Sequence, residues 1–216
     1  MPRAVHSCAG MLHYDHHRHT HAFANHPQRR LPMPTYQSIS FQYSKSRITK
    51  ETVQSFCDAL LGCGLTFAGG DWECEDDSYE DIIRWNQRKL EENFELGFTE
   101  HHSHDYRQML LSHPDFSEVR LILMNMRDAP YFSFELVIPE QDFFDPWEPW
   151  ERTWTLRLDR LQQVEALAAA LWAQEPIDCI QTAWELSELP VPYADIAAGR
   201  QPQIEPFCIL PKALYP

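Results

Sequence analysis

The sequence predicts an α+β fold: a mostly antiparallel sheet of five to seven strands, with helices packed mainly on one face. Three observations lead there. Segments of apolar–polar alternation recur along the chain, as half-buried strands require. Other segments repeat apolar residues at i, i+3, i+4 and i+7, the spacing of an amphipathic helix. Finally, Arg120 to Met126 and Tyr131 to Ile138 flank a turn at Arg127-Asp128-Ala129-Pro130, which reads as a hairpin.

Each element follows from its residues. Thr35 to Ser44 alternates, with Ile39, Phe41 and Tyr43 facing one way and Ser38, Ser40 and Gln42 the other. Thr49 then caps a helix whose inner stripe is Val53, Phe56, Cys57, Leu60 and Leu61, ended by Gly62 and Gly64. Leu65 to Phe67 reads as a short strand entering a tight turn at Ala68-Gly69-Gly70. Ser78 caps a second helix over roughly 79–93, with Tyr79, Ile82, Ile83 and Leu90 inward. Tyr106 to Leu111 is a strand, and the apolar run Arg120 to Met126 is a central strand buried on both faces. In its hairpin partner, Phe132, Phe134, Leu136 and Ile138 point inward.

Beyond a Pro- and Trp-rich loop, Trp154, Leu156 and Leu158 predict a further strand. Asp159 and Gln162 form a capping box for a helix over 160–173, with Leu161, Val164, Leu167, Ala168 and Leu171 buried. Ile177 to Leu186 is the last strand, with Ile180, Thr182, Trp184 and Leu186 on one side. Strand–helix–strand at 35–74 and again at 153–186 reads as a weak internal duplication. The expected organisation is a single α+β domain over 33–190 and an extended Pro-rich tail over 191–216, anchored on the domain by Phe207, Ile209 and Leu210.

The chemistry of the chain changes at Met33. Residues 1–32 carry seven of the eleven histidines and lack any helical or strand period, so disorder is expected. The imidazoles of His17, His19 and His21 can chelate a transition metal. The competing reading is an unstructured tail, or residues not natively translated. Codons for Arg29-Arg30 can supply a ribosome-binding sequence ahead of Met33, a hypothesis that the intact mass of the native protein tests. From Met33 onward 14 bases face 31 acids, a formal charge of −17. That balance opposes nucleic acid and anionic lipid as direct partners, since both need a positive surface. No apolar run is long enough to span a bilayer. The cysteines lack paired spacing, which implies reduced thiols and a cytoplasmic location.

Four segments are candidate sites. Glu100-His101-His102-Ser103-His104-Asp105 concentrates metal-ligand types, and His102 and His104 share one side of a strand. It resembles the His-x-His-x-Asp-His signature of metallo-β-lactamase-like hydrolases, but Asp105 directly follows His104 and no histidine comes after. The competing reading is a polar loop. An acidic cluster comprises Asp71, Glu73, Glu75, Asp76, Asp77, Glu80 and Asp81. It reads as a landing surface for a basic protein, as a divalent-cation site, or as a solvated loop with a favourably acidic helix start. Ala68-Gly69-Gly70 is no phosphate cradle, because acids follow it. Phe143-Phe144-Asp145-Pro146-Trp147-Glu148-Pro149-Trp150 places rigid aromatics beside carboxylates. Trp147 and Trp150 there read either as interface anchors or as a lid over the core. Cys74 lies between Glu73 and Glu75, which should raise its pKa and make it a poor nucleophile.

In size, acidity and α+β texture the chain resembles the immunity proteins of bacterial toxin systems. That resemblance implies a non-catalytic cytoplasmic protein with a basic protein partner and no cofactor; it assigns no residue. The partner face would join the acidic loop to the Trp loop. The alternative is a metal-dependent hydrolase using His101, His102, His104 and Asp105, in which His102, His104 and Asp105 are the metal ligands, a bound zinc activates water and a carboxylate acts as base. A third reading is a homo-oligomer joined through the Trp loop and the tail.

Overall fold

The computed structural model describes residues 36–71, 74–97, 106–145, 155–184 and 190–214. Among the described residues, seven antiparallel strands and four α-helices follow in chain order: β1 (Tyr36–Ser44), α1 (Thr52–Gly62), β2 (Thr66–Asp71), α2 (Tyr79–Glu91), β3 (Gln108–His113), β4 (Phe116–Asn125), β5 (Tyr131–Pro139), α3 (Leu158–Gln174), β6 (Cys179–Trp184), α4 (Tyr193–Ala197) and β7 (Cys208–Ile209). The strands hydrogen-bond in the order β2-β3-β4-β5-β1-β6-β7. This is the α+β architecture that the alternating and helical patterns predict.

The predicted hairpin is present. β4 pairs with β5 from Arg120↔Val137 to Asn125↔Phe132. β1 then pairs with β5, setting Phe41 opposite Phe134 and Tyr43 opposite Phe132. These registers line up one face of the sheet, and α1 lays Phe56 on it. The Phe56 ring stacks on Phe134 at 4.1 Å and meets Phe41 edge-on at 5.2 Å. Aromatic pairs of this kind add to the area they bury.

The other face departs from expectation. Alternation makes Ser38, Ser40 and Gln42 the solvent side of β1, yet all three are buried. The tail accounts for part of this. Gln42 and Gln181 each donate an Nε2 hydrogen bond to the Val191 carbonyl, and the Tyr193 N–H donates to Gln42 Oε1. Val191, Ile196, Cys208 and Leu210 then pack with Cys179 of β6 as a second small core. The tail thus anchors through Ile209 and Leu210 as expected, but it also forms α4 and the edge strand β7.

Local capping decides other differences. Ser78 caps α2 as predicted, its hydroxyl accepting from the Asp81 N–H. Thr49 does not cap α1, because it bonds reciprocally with Thr52 and that turn moves the cap two residues on, to Glu51. No strand forms at 154–158 among the described residues. Leu156 makes only an isolated bridge to Phe144, and Leu158 opens α3, 64% exposed. The helix therefore begins before the expected capping box, leaving Asp159 inside its first turn beside Arg157 and Arg160. Without that strand, and with β1 and β2 far apart in the sheet, the duplication does not hold.

Ala68-Gly69-Gly70 is not a turn but the body of β2, with a bulge between Phe67 and Gly69. Gly70 is required by close approach, since a Cβ there would sit 2.0 Å from the Cys74 carbonyl oxygen. A Gly70→Ala substitution is expected to cost roughly 1–3 kcal/mol by forcing that backbone away. Urea unfolding measures it, and an unchanged midpoint would refute the close approach. Among the described residues no helix is long and apolar enough to cross a membrane.

Candidate functional site

The acidic segment is a turn linking β2 to α2, and its charges divide into two sets. Asp71, at the end of β2, is held by Arg120 at 3.4 Å and accepts from Gln108 Nε2 at 3.0 Å. Asp77 pairs with Arg107. Asp81 bonds Ser78 and Arg84, and the Ser78 hydroxyl is the main cause holding its carboxyl below the usual range. These three acids tie the turn to β3, β4 and its own helix. Glu75, Asp76 and Glu80 are exposed and have no cation partner among the described residues. Glu73 lies outside the described residues.

The thiol of Cys74 is buried beneath this turn and donates to the Asp71 carbonyl. Burial, more than the neighbouring acids, raises its pKa. It is a poor nucleophile, as the sequence predicts, though chiefly for a different reason. Cys57 is likewise buried, and Cys63 sits at the C-terminal cap of α1. Cys57, Cys63, Cys74, Cys179 and Cys208 are all free thiols.

The aromatic segment is described only at its edges. Phe143 is buried and Phe144 half-buried, and both rings lie against Trp184 at 5.7 and 5.6 Å. These two phenylalanines close the core, as the lid reading expects. The chain is clamped on either side of 146–154: the Arg157 N–H donates to the Phe143 carbonyl, and the Asp145 N–H to the Thr155 carbonyl. Trp147 and Trp150 lie outside the described residues, as do His102, His104 and Asp105 of the proposed zinc cluster. Among the described residues no group of three His, Cys, Asp or Glu side chains is placed to hold a metal ion.

One strand links the two candidate partner segments. Asp142, just before the aromatic stretch, accepts from the Ser117 hydroxyl and N–H on β4. Asp71, leading into the acidic turn, pairs with Arg120 on the same strand.

A polar group that sequence reasoning missed is Glu135 on β5. Its carboxylate is 3% exposed and accepts from Ser133 at 2.6 Å, Ser40 at 2.8 Å and Ser38 at 3.2 Å. No cation pairs with it among the described residues. Burial pushes its pKa up to about 7, against the opposing pull of the three hydroxyls. The alternation of Ser38, Ser40 and Ser133 was the available signal, and it reads equally well as a solvated face. No protein-family model, curated protein or solved structure matches the chain.

Proposed function

We propose that this chain is a non-catalytic binding protein whose acidic turn receives a basic protein, in the manner of an immunity protein. The observation that supports it is the division of charge at 71–81. Asp71, Asp77 and Asp81 are paired and fix the turn, while Glu75, Asp76 and Glu80 project without counter-ions among the described residues. Fixing a charged surface before the encounter lowers the ordering cost of binding. The excess negative charge of the chain steers a cationic partner and speeds association. Trp147 and Trp150 are proposed as the apolar anchors that accompany that charge.

Charge reversal tests this reading. The native chain, used as bait for basic proteins from its own cells, should retain one partner that raised salt releases. Reversing Glu75, Asp76 and Glu80 to lysine together should weaken that complex at least tenfold, chiefly by slowing association. These side chains are exposed, so the fold should survive, as circular dichroism will report. Equal retention by the reversed chain would refute the acidic turn as the docking site. Stoichiometric zinc in the purified protein, lost on replacing His102 and His104, would instead favour the hydrolase.

A further inference from the structure

The helix layer does not close over the sheet. α1 ends at Gly62, and the neighbouring turn of α3 presents Ala166 and Ala170, side chains too short to reach across. A cavity of about 430 Å³ lies between them. Its floor is the buried face of Leu65, Val119 and Ile138, and Phe116 and Leu167 form its walls. The polar groups lining it are neutral at the amides Gln163 and Gln174; the imidazole of His113 and the thiol of Cys63 complete them. Among the described residues no carboxylate, lysine or arginine lines it, although Asp115 and Arg160 stand just behind Gln163.

We infer that this cavity is a binding site for a small neutral molecule with an apolar body and one hydrogen-bonding group. Its volume falls within the range of natural ligand pockets, which pair an apolar lining with a few placed polar groups. Apart from the imidazole of His113, no described residue of the lining offers an ionised ligand a counter-charge. In a chain of net charge −14 an anion would also be repelled on approach. The apolar body rests on Leu65, Val119 and Ile138, and Gln163 and Gln174 on α3 meet the polar group at the rim. This site is separate from the acidic turn, and neither proposal depends on the other.

The neutral fluorophore N-phenyl-1-naphthylamine is the probe. The full chain should bind one equivalent saturably. The sulfonated analogue 8-anilinonaphthalene-1-sulfonate should bind at least tenfold more weakly. Ala166 is exposed, so Ala166→Trp should block the mouth without unfolding the helix, and reduce probe affinity at least tenfold. Ala170→Leu fills the cavity from another position and should do the same. As a second readout, bound probe should slow alkylation of Cys63, which is half-buried whereas Cys57, Cys74, Cys179 and Cys208 are buried. Three results would overturn the inference: no saturable binding, equal binding by both filled variants, or a Cys63 alkylation rate indifferent to the probe. Equal affinity for the sulfonate would overturn the neutral selectivity.

Discussion

Phe56→Ala should destabilise the protein by about 3–5 kcal/mol, the usual loss when a buried aromatic leaves a cavity. The site offers little room to relax. Phe56 is fully buried and stacks on Phe134 at 4.1 Å, with Phe41 at 5.2 Å and Tyr43 at 6.1 Å around it. These partners belong to β1 and β5, the rigid middle of the sheet, and their backbones are fixed by the ladder between them. Domains carry only about 5–15 kcal/mol of stability in total, so the variant should sit near its threshold. Equilibrium unfolding in guanidinium will show the midpoint drop. A shift worth less than about 1 kcal/mol would mean that α1 does not dock on β1 and β5 as described. Phe56→Leu keeps most of the volume and should recover much of the loss.

The second large effect is a dependence of stability on pH that originates at Glu135. Its native pKa of about 7 lies above the ordinary glutamate value of 4.5. Between those pH values the native state holds a proton that the unfolded chain has released. Stability contributed by this group is therefore full at low pH, falls as pH rises through the window, and is flat above it. With about 1.4 kcal/mol for each pH unit, the total change is about 3 kcal/mol. Glu135→Gln removes the charge and keeps partners for Ser38, Ser40 and Ser133, whose hydroxyls donate or accept. The difference in unfolding free energy between wild type and variant, measured from pH 4 to pH 9, should swing in favour of the variant as pH rises. Parallel curves would show that burial leaves the Glu135 pKa at its unfolded value.

The same carboxylate marks where the sequence was legible and where it was not. The β4–β5 hairpin and α2 could be read directly, because alternation, the turn and the Ser78 cap all point the same way. Leu156 and Leu158 misled because an alternating pattern over five residues also fits the entry to a helix, and the Phe144 bridge ends after one residue. Gly69 and Gly70 looked like a turn, whereas Gly70 serves the close passage of Cys74. The polar side of β1 looked solvated because the sequence does not say which segment lies over it. The tail provides part of that cover, through Gln42 and Gln181, whose amides resemble surface residues until Val191 is seen between them. At the acidic turn the carboxylates were evident, but their division was not. Arg107 and Arg120 neutralise Asp77 and Asp71 from positions far along the chain.

The sheet order carries a consequence for synthesis. β1 is made before every other described strand, yet it is hydrogen-bonded between β5 and β6. Residues 36–44 must therefore wait until 131–139 has left the ribosome for one edge to be satisfied, and until 179–184 has followed for both. During that interval a strand carrying Ile39, Phe41 and Tyr43 stays open to mispairing, a hazard that grows with the sequence distance to the correct partners. The first of the described strands to be made is seated among the last.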